Sequence, residues 1–151
     1  MLSPYSIFIR LLLSVFLSGL VGLERQFHRR TAGLRTHILV SLGSCLIMLT
    51  SIYVFDIFKG ITTVDPTRIA AGVITGIGFL GAGAIIRSGE AVKGLTTAAS
   101  LWIVAGIGLA VGCGFYLAAV ISSVLALIVL LFLRHVERFV FGEEEESKTT
   151  N

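Results

Sequence analysis

Five long apolar runs, at 5–23, 34–55, 69–86, 96–111 and 115–133, divide this chain, and short polar stretches separate them. Each approaches the roughly 20 residues that a helix needs to cross the hydrocarbon core of a bilayer. The pattern predicts an all-α integral membrane protein with five transmembrane helices. Within the first run Ser14, Ser18 and Gly22 recur every fourth residue and share one helical face, which suits close helix packing. Arg10 sits just inside the start of that run, where its side chain either snorkels to the headgroups or pairs with an acid on the same side. The third run carries the GxxxG pair Gly72 and Gly76, with Gly83 extending the small surface, and the fourth carries Gly108 and Gly112. These glycines predict helix packing, within one subunit or between subunits. The alternative is that they interrupt the helix and turn carbonyls toward an ion or water path, which is tolerated only where the backbone faces protein or a cavity. Gly76, Gly78 and Gly81 also spell GxGxxG, but a dinucleotide site needs a preceding strand and a water-exposed helix N-terminus, and this one lies inside an apolar run.

Composition sharpens the class without changing it. Of 151 residues 55% are hydrophobic and 14% charged, which leaves no room for a sizeable soluble domain. The first run is followed by Glu24 and Arg25 and not by a small-residue cleavage pattern, so it reads as a retained helix. Cys45 and Cys113 stand alone in apolar surroundings, so neither a disulfide nor a thiolate metal site is indicated. The net charge of +3 comes from basic residues beside the spans, which reads as a topology signal and not as a nucleic-acid surface. Arg25, Arg29, Arg30 and Arg35 in the first connector mark the cytoplasmic side, placing the N-terminus outside and the C-terminus inside. On that arrangement nine Lys and Arg are cytoplasmic and three, Arg10, Lys59 and Arg68, are external. Residues 1–138 form the membrane domain, and 139–151, with Glu143 to Glu146, read as an acidic, disordered cytoplasmic tail. No internal repeat is visible.

The candidate chemistry is sparse. Asp65, Pro66 and Arg68 open the third run, where Asp65 can cap the helix, Pro66 fits its first turn and Arg68 answers the acid. The functional alternative makes Asp65 part of an external cation or proton site, with Asp56 as a second oxygen donor. At the other side, Glu24 and Arg25 end the first run while Arg35 and His37 open the second, giving a charge network across a tight hairpin in which His37 can add sensitivity near neutral pH. There is no HExxH, P-loop or Ser-His-Asp setting, and the mid-span polar groups are hydroxyls such as Ser41, Ser44, Thr75 and Ser100. The chain therefore reads as a non-enzyme without a required cofactor.

Three stretches, GLVGLERQFHRRTAGLRTHILVSLGS at 19–44, DPTRIAAGVITGIGFLGAGAIIR at 65–87 and GLTTAASLWIVAGIGLAVGCG at 94–114, together resemble the MgtC/SapB family of bacterial inner-membrane proteins. The resemblance covers most of the chain, in order. It implies a five-helix membrane domain and a role in growth at low magnesium, in acid or intracellular stress and, in some bacteria, in virulence. It also implies interaction with other membrane proteins, ATP synthase among them. Many members carry a cytoplasmic ACT-like domain after the last span, where this sequence has a short acidic tail. The preferred expectation is a membrane regulator that packs against itself or another membrane protein and supports magnesium or pH homeostasis. The alternative is a small oligomeric transporter of Mg²⁺ or another cation, with Asp65 and Glu24 at its mouths. Mg²⁺ prefers octahedral oxygen coordination and sheds water reluctantly, yet no carboxylate falls in the middle of any run.

Overall fold

The computed structural model describes residues 2–88 and 91–141. Five helices, α1 (Pro4–Phe27), α2 (Leu34–Phe58), α3 (Thr67–Ala84), α4 (Leu95–Cys113) and α5 (Tyr116–Phe141), are all long and apolar enough to cross a membrane. One short antiparallel hairpin, β1 (Ile86–Ser88) and β2 (Ala91–Lys93), joins α3 to α4 and pairs Arg87 with Val92. The expected acidic tail lies outside the described residues from 142 onward.

Local chemistry sets the helix boundaries. Ser3 accepts a bond from the Ser6 amide and Pro4 occupies the first helical turn, so α1 begins where its orphan donors can be satisfied. It ends in two bonds characteristic of a Schellman motif: Arg30 N donates to Arg25 O and Arg29 N to Gln26 O. Arg29 occupies the left-handed position that glycine usually takes there, with φ at 51°. Gly94 begins α4 with φ at +94°, and a Cβ there would run into the Ala84 carbonyl, so the exit of the hairpin admits only glycine without strain.

The central element is α4, which packs against each of the other four helices. Its Gly108 and Gly112 let it cross α2 closely. A Cβ at Gly112 would lie 2.7 Å from the Met48 Cβ, and one at Gly108 would overlap the Ser41 carbonyl. Gly22 does the same between α1 and α2, where an added Cβ would stand 2.8 Å from the Leu34 Cα. Val21, Cys45, Val104, Ile107 and Val111 fill the space between α1, α2 and α4. Hydroxyls line the same seam: Ser14, Ser18 and Ser41 are fully buried, and each donates to a main-chain carbonyl of α1. Small residues allow close backbone approach without leaving polar atoms unpaired in an apolar setting. Outward-facing Leu, Ile and Phe on α1 and α5 present apolar surface suited to lipid.

Candidate functional site

Buried charge gathers where α1 ends and α4 begins. Glu24 and Arg25, in the last turn of α1, are 7% and 3% exposed. Glu24 Oε1 lies 2.9 Å from His28 Nδ1, one turn later, while Oε2 lies 3.7 Å from Arg25 Nη1 and accepts no hydrogen bond among the described residues. Arg25 Nη2 donates to Thr97 Oγ1 at 3.3 Å, which ties α1 to the first turn of α4. Removing one partner from a buried, hydrogen-bonded charge cluster of this kind typically costs about 3–5 kcal/mol.

His37, fully buried on α2, extends this polar region. Its Nδ1 stands 2.8 Å from the Gly33 carbonyl, which can only accept, so that nitrogen carries the proton. Its Nε2 lies 3.0 Å from Ser100 Oγ, and the Ser100 hydroxyl also sits 2.7 Å from the Thr97 carbonyl. The imidazole thus links α2 to α4 near the Arg25 contact. Arg35, grouped with these residues by sequence proximity, is exposed and lines a groove between α2 and α3 instead. The sequence singled out Glu24, Arg25 and His37 but not their α4 partners. The i, i+3 spacing of Thr97 and Ser100, near the start of the fourth apolar run, was the available signal.

A cavity of about 190 Å³ opens beside this cluster, lined by Glu24, Arg25, Arg30 and Thr96 and closed by Val129, Leu130 and Leu133 of α5.

At the opposite end of the bundle, Asp65 Oδ1 accepts from the Thr67 amide at 2.8 Å and from the Thr67 hydroxyl at 2.6 Å. These bonds, with Arg68 nearby, hold its carboxyl below the usual carboxylate range. Both Asp65 and Arg68 are exposed. Asp56, in the last turn of α2, pairs with Lys59 at 2.8 Å. The Pro66 carbonyl accepts from Ser51 Oγ, fastening the start of α3 to α2. Among the described residues no group of three or more His, Cys, Asp and Glu side chains is placed to hold a metal ion. Arg10 meets no acid among the described residues. Its Nη1 donates to the Gly112 carbonyl at 2.7 Å and its guanidinium lies 5.8 Å from the Tyr116 ring centroid. It therefore serves the orphan carbonyls and negative dipole end of α4.

Most glycines of α3 differ from Gly108 and Gly112 of α4. At Gly72, Gly76, Gly78 and Gly83 an added Cβ would meet nothing within 4 Å. Gly72 and Gly76 line, with Arg35, Gly43 and Ser44, an apolar groove of about 500 Å³ between α2 and α3.

These features define a five-helix membrane protein with a charge cluster buried at one end and an open glycine face on its third helix. The chain belongs to the MgtC family, whose model matches residues 11–139. It is 46% identical over 124 residues to YhiD of Escherichia coli K12, provisionally named a magnesium transporter, covering 81% of this chain and 58% of that protein. It is 43% identical over 132 residues to protein MgtC of Salmonella typhimurium LT2, covering 87% and 53%. An uncharacterized Haemophilus influenzae protein is 38% identical over 147 residues, covering 95% and 62%. The chain thus spans little more than half the length of these relatives. No solved structure matches it.

Proposed function

We propose that this chain is a non-enzymatic regulator of the bacterial inner membrane that supports magnesium or acid-stress homeostasis by docking, through α3, against a second copy or another membrane protein. The observation that carries this reading is the contrast between the two sets of glycines. Gly108 and Gly112 of α4 are spent within the chain, whereas Gly72, Gly76 and Gly83 of α3 are open, the first two beside an apolar groove with room for another helix. The interior supports the same reading. The seam between α1, α2 and α4 is filled by fully buried valines and by serines already bonded to backbone, a poor lining for hydrated Mg²⁺. The basic α1–α2 connector favours a cytoplasmic position for that end of the bundle, with the N-terminus outside.

The experiment is an assembly measurement on protein of proven fold, by light scattering in detergent and by co-purification of a differently tagged copy and of membrane partners. Leu at Gly76 or Gly83 is expected to abolish assembly and growth support at low magnesium, while Asp65→Asn keeps both. Unchanged assembly in Gly76→Leu would remove the packing proposal for α3.

The name of the Escherichia coli relative favours a second reading, an oligomeric Mg²⁺ transporter with Asp65 and Glu24 at its two mouths. It requires a path between subunits, built from hydroxyls and carbonyls, and it makes Asp65→Asn lose ion flux with assembly intact.

A further inference from the structure

The cavity at Glu24, Arg25, Arg30 and Thr96 does not end at its polar lining. Thr96, Val129 and Leu130 line it and also line an apolar groove of about 370 Å³ that continues between α4 and α5 past Ala99, Ile103, Ala126 and Leu125 to Ser122. The eight residue steps from Ser122 to Leu130 correspond to about 12 Å along a helix. A charged pocket at one end of the bundle therefore opens onto a lipid-facing apolar trough.

We propose that this composite site binds a phospholipid with a primary-amine headgroup, of the phosphatidylethanolamine type, its phosphate and ammonium in the cavity and one acyl chain in the α4–α5 groove. The charges select that chemistry. Arg25, Arg30, the Thr96 hydroxyl and the N-terminal amides of α4 suit a phosphate, since a helix N-terminus offers unpaired N–H groups and positive dipole. An anion alone would leave Oε2 of Glu24 without a donor, because this carboxylate is 7% exposed and, although its Oε1 is paired with His28, that second oxygen accepts no hydrogen bond among the described residues. A primary ammonium supplies the missing donor next to the phosphate. A choline headgroup carries the same charge but has no N–H to give, and a glycerol headgroup brings no cation. The Schellman turn at Arg29 brings the chain back so that Arg30 lines the cavity, although the residue itself is exposed and free to adjust. Val129, Leu130 and Leu133 receive the glycerol and upper acyl region.

The test is native mass spectrometry of the delipidated full chain in detergent, titrated with palmitoyl-oleoyl phosphatidylethanolamine, phosphatidylglycerol or phosphatidylcholine. Phosphatidylethanolamine is expected to be retained on the order of tenfold more than phosphatidylcholine, the value of one charge-assisted hydrogen bond, and more than phosphatidylglycerol. Glu24→Gln is expected to erase the advantage over phosphatidylcholine. Two further variants at less buried positions keep the test decisive should Glu24→Gln fold poorly: Arg30→Gln is expected to lower retention of all three lipids by removing a phosphate contact, and Ala99→Trp to lower it by filling the groove. Equal retention of ethanolamine and choline lipids by the unaltered protein, preference for phosphatidylglycerol, or phosphatidylethanolamine retention unchanged in both Arg30→Gln and Ala99→Trp would each overturn the proposal.

Discussion

Gly94 combines a left-handed backbone with a Cβ position already taken by the Ala84 carbonyl. Gly94→Ala should therefore cost at least the roughly 1–2 kcal/mol of a left-handed L-residue, and its thermal unfolding in detergent, followed by circular dichroism, should fall below that of the unaltered protein. Asp65 gives a pH-dependent prediction at the same scale. Its folded carboxyl is held below the ordinary value near 3.9 by the Thr67 hydroxyl and amide, so its contribution is fully present above that value and disappears as pH falls through the lowered one. Asp65→Asn should unfold at a lower temperature than the parent at pH 7, and the gap should close toward pH 3; a gap that is constant with pH would contradict the assignment. The sequence pointed to Asp65 at the start of the third helix, whose partners are all local, but named Arg68 and not Thr67 among them. The partner of Arg10 was not legible, since the Gly112 carbonyl lies 102 residues away and a backbone acceptor leaves no mark in a sequence.

At the scale of the helix, GxxxG announces small surface but not what covers it. Gly72 with Gly76 and Gly108 with Gly112 read alike, yet only the second pair is used inside the chain, because α4 lies centrally and α3 at the edge of the bundle. Substitution by alanine separates them. Gly108→Ala places a methyl within 2.9 Å of the Ser44 Cβ and against the Ser41 carbonyl, and should lower the unfolding temperature by an amount corresponding to about 1–3 kcal/mol of overpacking. Gly76→Ala has open space and a better helix former, so the monomer's unfolding temperature should hold or rise. The five spans themselves were legible, since length and hydropathy are enough to mark a transmembrane helix. Their ends were less so. α1 continues to Phe27 because the charges of its last turn are answered from within that turn and from α4, where the sequence pattern stops at 23.

For the whole molecule, the described residues bring Glu24, Arg25 and His37 to one end and leave Asp65 exposed at the other, with a closely packed seam between them. That division was partly readable, because Glu24, Arg25 and His37 flank one hairpin. The part played by α4 was not, because Thr97 and Ser100 are ordinary hydroxyls until the helix is placed. A regulator that acts by docking needs no ion path across the membrane, whereas a transporter needs one. The most direct measurement is Mg²⁺ entry into sealed liposomes containing the folded protein, read with an enclosed magnesium-sensitive dye, with Asp65→Asn as the paired control. The account predicts entry no faster than in protein-free liposomes across a range of gradients; Mg²⁺ entry that the protein accelerates and Asp65→Asn abolishes would contradict it.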